Sequence, residues 1–256
     1  MSLRKKRGYD RDVLVPLVRD YKLFAIACEG GVREPEYFNV FRHLSTRVAV
    51  DVVEEVVNDE EMESTNVHKS APRWVLDRAI KYIEKDGLSQ EDELWFILDK
   101  DKWTFDQLKE ISEYCDDKPN WFIAISNPCF EVWLYFHKHA DIEKSDSVSC
   151  DDFKREISTF AVGGYNPLKF VRFTPSAIEN ARNADTDPNH FMPSVKQTKM
   201  YKPVQGIMEF AGINQFQEFL DEKLPKLIAT ELEKARLHKK MKKEALIPKG
   251  KKDKKK

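Results

Sequence analysis

Glu93-Leu94-Trp95-Phe96-Ile97-Leu98-Asp99-Lys100-Asp101 is the stretch that decides how this chain folds. Leu94 to Leu98 is a continuous apolar run rich in aromatic and branched side chains, the pattern of a strand buried on both faces. Such a strand cannot bury carboxylates cheaply, so Asp99 and Asp101 belong at its C-terminal end, where it emerges. Residues i and i+2 of an extended segment point the same way. The two aspartates therefore sit side by side at the mouth of a parallel sheet, where open α/β folds bind ligands. Neighbouring carboxylates repel, and a hard divalent cation, Mg²⁺ or Mn²⁺, is the natural group between them. The competing reading is a solvated acidic loop, because Asp-x-Asp is a short motif.

Working outward, Lys22-Leu23-Phe24-Ala25-Ile26-Ala27-Cys28 repeats the arrangement and runs into Glu29-Gly30-Gly31, where the glycines allow a tight turn. A helix follows, with Pro35 suited to its first turn and Glu34 and Glu36 near its positive end. If the two strands are adjacent, Glu29, Asp99 and Asp101 converge. A glutamate and an Asp-x-Asp pair, each at a strand end, resemble the pattern of Toprim domains, which occur in topoisomerases, bacterial primases and several nuclease families.

Val48 to Val57 reads as a further strand and Asn58 to Ser70 as a polar loop. Pro72 opens a helix with Trp74, Val75, Ala79, Ile80 and Ile83 at helical spacing, ended by Gly87. Phe105 to Tyr114 is helical, and Trp121 to Ile125 is a fourth buried strand. The alternation predicts an α/β fold: a parallel four-stranded sheet, Toprim-like by the resemblance above, with helices on both faces and a C-terminal helical extension.

The segment after the fourth strand reads Ser126-Asn127-Pro128-Cys129-Phe130-Glu131. Ser126 and Asn127 suit helix N-caps, Pro128 the first turn, and Glu131 the positive end of the helix dipole. If this strand neighbours the first, Asn127 and Glu131 reach the cation or a bound phosphate. His137 and His139 cannot face one site together on a helix and read as packing or surface residues.

Taken together, Glu29-Gly30 followed by Glu34-Pro35-x-Tyr37-Phe38, Asp99-x-Asp101, and Ser126 to Leu134 resemble the RloB-like family, compact Toprim proteins related to the AbiLii abortive-infection protein of bacteria. The family commonly carries a threonine where this chain has Arg33. Gly164-Tyr165-x-x-x-Lys169, Ala177 to Ala181 and Pro193 to Val204 extend the similarity, which covers residues 20 to 212. The resemblance implies a Toprim fold, phosphodiester chemistry on one or two metals, and a defence role, often beside an ATPase encoded nearby. It leaves DNA and RNA, tRNA included, both open as substrate.

The chemistry itself needs charge neutralised on the scissile phosphate and an activated water, and a divalent cation supplies both. Asp99 and Asp101 would hold it, and Glu29 would share it or act as general base. Lys22, Arg33, Lys100 and Lys102 are the nearest basic candidates for phosphate contacts. Lys100, between the aspartates, points away from them, which favours Lys102 and Arg33.

Composition bounds these readings. The 256 residues are 41% hydrophobic and 34% charged, as in a soluble globular protein. No run of apolar residues is long enough to span a membrane, and Met1 to Asp20 lacks the apolar core of a signal peptide. Cys28, Cys115, Cys129 and Cys150 show no Cys-x-x-Cys spacing, which argues against zinc and disulfide scaffolds and fits a reducing cytoplasm. The formal net charge of -1 hides a basic C-terminus. Lys234 to Lys256 reads as a lysine-rich, disordered tail, either an arm for nucleic-acid phosphates or a solvated end. Arg4-Lys5-Lys6-Arg7 is a smaller version of it.

The expected organisation is a basic segment (1–20), a catalytic core (21–140), a helical extension (141–233) and the tail (234–256). Within the extension, Tyr165, Lys169, Arg172, Lys196, Lys199 and Lys202 are candidates for a basic groove with aromatic interleaving. Phe216 to Lys243 reads as one helix with an apolar stripe of Phe216, Leu220, Leu224, Leu227 and Leu232. Three functions follow: a metal-dependent nuclease, a module that binds nucleic acid or nucleotide without cutting, and a regulatory subunit that acts only with a partner ATPase. The absence of zinc-ribbon cysteines weighs against a primase or topoisomerase.

Overall fold

The computed structural model describes residues 20–53, 72–161 and 163–245. The expectations for the N-terminal basic segment, the polar loop of 58–70 and the last lysines lie outside the described residues.

The four expected strands form as β1 (Lys22–Cys28), β2 (Val48–Val52), β3 (Glu93–Asp99) and β4 (Trp121–Asn127). They are parallel, in the order β2-β1-β3-β4. A two-residue strand, β5 (Gln197–Thr198), adds antiparallel to β4, so the sheet has five strands and not four. Two residues carry no periodicity from which a strand can be read.

Both faces of the sheet are covered, as the continuous apolar runs require. Phe24, Ile26, Cys28, Trp95 and Ile97 point to one face, and Ala25, Ala27, Leu94, Phe96 and Leu98 to the other. The second face packs on α2 (Pro72–Asp86) and α3 (Phe105–Asp116) through Val75, Leu76, Ala79, Leu108 and Ile111. Gly87, at φ +75, follows the end of α2 in the left-handed conformation common after helices. Thr104 and Gln107 form a reciprocal capping box at the start of α3.

The first face packs on α1 (Arg33–Val40) and on α4 (Glu131–Phe136), all six residues of which are buried. The same core takes in residues of α5 (Cys150–Phe160), α6 (Pro167–Phe170), α7 (Thr174–Ala184), α8 (Tyr201–Ala211) and α9 (Ile213–Glu218). Residues on both sides of position 140 share this core, which joins Phe24 of β1 to Ile207 of α8 and Phe216 of α9.

Two expectations about the C-terminal region change. The helix expected over Phe216 to Lys243 is α9, a π-helical segment (Phe219–Lys223) and α10 (Leu224–Ala245). Phe216 and Leu224 are core residues, whereas Leu232 is exposed. The boundary at Lys234 is not a structural one, because α10 continues to Ala245. Lys, Arg, Glu, Ala and Leu are strong helix formers, so a basic stretch without Gly or Pro extends the helix.

The chain leaves β1 for β2 at the sheet edge, then crosses back to β3. The crevice between the C-terminal ends of β1 and β3 is therefore the topological switch point, the usual ligand site of open α/β sheets. No helix among the described residues is long and apolar enough to cross a membrane.

Candidate active site

The ends of β1 and β3 are tied together at the switch point. Glu29 N–H donates to the Ile97 carbonyl at 2.9 Å, and Asp99 N–H donates to Glu29 Oε2 at 3.1 Å. The Trp103 indole N–H donates to Glu29 Oε1 at 2.8 Å. Glu29 thus lies behind the Asp-x-Asp turn with both oxygens engaged. Burial, opposed by these two hydrogen bonds and reinforced by the Asp101 and Glu34 charges, pushes its carboxyl up to about 7.

The open side is a pocket of about 400 Å³ lined by Glu34, Asp99, Asp101, Glu131 and Lys154, among others. Its acids come from three places. Asp99 ends β3 and Asp101 lies just beyond it. Glu34 sits in the first turn of α1, and Glu131 is the first residue of α4. Asp101 N–H donates to the Pro128 carbonyl at 3.0 Å, which brings the turn before α4 beside the aspartates. Gly30 makes room for Glu34: a Cβ there would overlap the Glu34 carboxylate.

Carboxylates packed this closely resist ionisation. Burial, then the charges of Glu34, Glu29 and Glu131, push Asp99 well above the usual carboxylate range. Glu34 is raised by burial and by Glu131, against the lowering effect of Arg33 and Lys154. Arg33 forms an ion pair with the buried Glu131 and lies over the Tyr165 ring.

The donors are carboxylate oxygens, the set that hard cations such as Mg²⁺ and Mn²⁺ prefer, and their accumulated negative charge is what such a cation neutralises. They fit the group in kind. Among the described residues no three His, Cys, Asp or Glu side chains are drawn into a ready-made metal cage.

The remaining expected site residues divide. Lys102 is exposed beside Asp101, and Lys169 is exposed on α6. Lys100 turns away and donates to the Trp103 carbonyl. Ser126 and Asn127 are not helix caps: both belong to β4, and Phe130 precedes α4 without a side-chain cap. β4 neighbours β3, not β1, and Asn127 Nδ2 donates to the Pro193 carbonyl, away from the acids. Tyr165 O–H donates to the Arg33 carbonyl and braces α1.

Lys199 is a clear correction. It is 1% exposed, and its ammonium donates to both oxygens of Asp185 at 2.7 Å and to the Asp187 carbonyl. Lys196 and Lys202 hold the Ser145 and Pro188 carbonyls. The expected basic groove is therefore not assembled, because these lysines fasten loops. His137 is buried, and His139 is exposed and stacks on Tyr135, as their spacing predicts.

Sequence reasoning missed Glu34, Trp103 and Arg78 as parts of the site. Arg78 reaches from α2 to the Cys28 carbonyl at 2.6 Å, next to Glu29. Glu34 carried a signal, a second acid in the turn after Glu29, but a helix-dipole role explained it equally well. Trp103 and Arg78 carried none, since their roles depend on contacts distant in sequence.

The fold and site define an α/β protein with an acidic pocket at the switch point of its sheet. The family model described as RloB-like protein matches residues 24–207, and the chain belongs to that family. Neither the curated proteins nor the solved structures provide a match.

A larger cleft of about 640 Å³, lined by Lys22, Arg47, Glu93 and Phe210 among others, opens at the N-terminal ends of the strands. Its Lys22 is paired with Glu93, and it lies at the opposite end of the sheet from the acids.

Proposed function

We propose that this protein is a divalent-cation-dependent nuclease of the Toprim type, cleaving phosphodiester bonds in DNA or RNA as an antiphage effector. The observation that carries this reading is the pocket into which three separate elements deliver Glu34, Asp99, Asp101 and Glu131. A cluster of that charge, partly buried and held at the switch point, costs stability and is retained where it serves a site. Asp99 and Asp101, with Glu34 and Glu131, would hold Mg²⁺ or Mn²⁺. The bound cation supplies charge neutralisation at the phosphate and a water of lowered pKa.

The chain's own groups do the rest. Glu29 Oε2 fixes the backbone of Asp99 and its Oε1 holds the Trp103 indole, so Glu29, expected as a cation ligand or general base, positions the Asp-x-Asp turn instead. Lys154 places an ammonium at the pocket, where phosphate oxygens are attracted, and Lys102 is exposed next to Asp101 in the chain. Arg33 neutralises Glu131 and sets its orientation.

The defence role and a partnership with an ATPase rest on the family resemblance, and a cytoplasmic setting on the four free cysteines. The test incubates labelled plasmid, single-stranded DNA and total tRNA with the protein in Mg²⁺, Mn²⁺ or EDTA, beside Asp99→Ala. Cleavage is expected in either cation, lost in EDTA and reduced at least about a hundredfold in the variant. A folded, cation-binding wild type that leaves every substrate intact would favour the regulatory subunit that acts only with its ATPase.

A further inference from the structure

An aromatic patch lies open to solvent close to the Asp-x-Asp turn. Phe105, the first residue of α3, is 45% exposed. His190, exposed, and Phe191, half-buried, come to it from the loop between α7 and β5. The His190 ring stacks on Phe105 at 6.3 Å and on Phe191 at 4.9 Å, with interplanar angles of 22° and 29°. The Phe105 and Phe191 centroids are 5.3 Å apart, so the three rings form one patch.

Both parts of the patch are fastened to the candidate site. Trp103, two residues before Phe105, donates its indole N–H to Glu29 Oε1 at 2.8 Å. The Thr104–Gln107 capping box fixes the start of α3, and with it Phe105. From the other side, Asn127 Nδ2 donates at 3.0 Å to the carbonyl of Pro193, two residues beyond Phe191. The Pro128 carbonyl, next to Asn127, accepts from the Asp101 N–H. Trp103 and Phe191 also pack against the core under α2 and α3. Phe105 follows Asp101 so closely in the chain that their Cα atoms are at most about 15 Å apart, with Lys102 between them in sequence.

We infer that these rings are a stacking platform for unpaired nucleobases, so that the acid pocket takes single-stranded nucleic acid or a single-stranded loop. The platform stands on the ring geometry; its assignment to the pocket's substrate rests on the nuclease reading above. In a duplex both faces of a base are covered by its neighbours, whereas an unpaired base offers a π-face to an aromatic ring. Stacking accepts every base, so the platform holds a strand without reading its sequence. A base stacked on Phe105 keeps the strand's backbone within a few nucleotides of the aspartates.

The full chain in EDTA is titrated with fluorescein-labelled oligo(dT) and oligo(rU) of about fifteen nucleotides, with a duplex of that length, and with an abasic strand that keeps the phosphates and lacks the bases. Cleavage of the same probes is followed in Mn²⁺. The single strands are expected to bind at least about tenfold more tightly than the duplex or the abasic strand, and to be cut in preference to the duplex. Phe105→Ala is expected to weaken single-strand binding about tenfold and Phe105→Trp to keep it, both with the wild-type thermal midpoint. Equal affinity for the abasic strand overturns the platform, as does a Phe105→Ala variant that binds single strands as the wild type does. If that variant instead loses a co-expressed partner ATPase, the rings belong to a protein interface and the platform is overturned. Either result beside wild-type cleavage leaves the nuclease reading standing. A folded wild type that cuts nothing in Mn²⁺ but binds single strands through Phe105 refutes the nuclease reading and keeps the platform.

Discussion

Asp99 shows at the scale of one residue how this site is built: a carboxylate at the end of a buried strand, surrounded by other carboxylates. Its neighbour Gly30 is there for space. Gly30→Ala would force the Glu34 carboxylate out of its place, because the added Cβ overlaps its oxygen. The expected outcome is about tenfold weaker Mn²⁺ binding with little change in the unfolding midpoint, read by titration and thermal denaturation. Lys199 predicts the opposite pattern. It was a substrate candidate by its position, yet it neutralises the buried Asp185, which also accepts from the Tyr201 hydroxyl. Lys199→Ala should cost about 3–5 kcal/mol of stability by leaving that carboxylate unpaired. Urea unfolding measures this, and an unchanged midpoint would restore Lys199 as a free group.

Among the elements, α4 is the one whose chemistry is least visible from outside. All its residues are buried, and His137 continues it as its C-cap. The His137 Nδ1–H donates to the Trp133 carbonyl, and its Nε2 accepts from the Tyr37 hydroxyl, so the ring is held neutral. Burial lowers its pKa to about 3. The unfolded chain takes up a proton near pH 6.5 that the folded chain refuses until about pH 3. Acidification through that window therefore destabilises the fold, by up to about 5 kcal/mol at its acid end. Stability measured in urea from pH 7 to pH 3 should fall less steeply in His137→Gln than in the wild type.

For the molecule as a whole, the acid cluster is a local instability that the surrounding sheet and helices hold in place. Glu29, raised from 4.5 to about 7, keeps its proton longer in the folded chain than in the unfolded one. The stability of the cation-free protein should therefore fall as pH rises from about 4.5 to about 7 on account of this group, opposite in sign to the His137 effect. Mn²⁺ at a hundred times its dissociation constant should restore about 2.7 kcal/mol. The gain should be larger at pH 8 than at pH 5.5, because cation and proton compete for the same oxygens. Thermal shifts at the two pH values decide it, and an equal or smaller shift at pH 8 would mean that the carboxylates do not hold the cation.

The sequence alone determined the four parallel strands, their alternation with helices and the placing of Glu29, Asp99 and Asp101 at strand ends. These depend on local physics: a continuous apolar run must be buried on both faces, and charge must leave it at the end. The same run cannot say which strand lies beside which. Only the tertiary structure decided that β4 pairs with β3 and β5, that Asn127 turns to Pro193, and that Glu131 still reaches the pocket through the turn at Pro128. It also decided that Lys199 is buried while Glu34 lines the pocket. A lysine or a glutamate has the same composition signal in a core ion pair, on a surface or in a site. What separates them is the set of groups that folding brings from far along the chain.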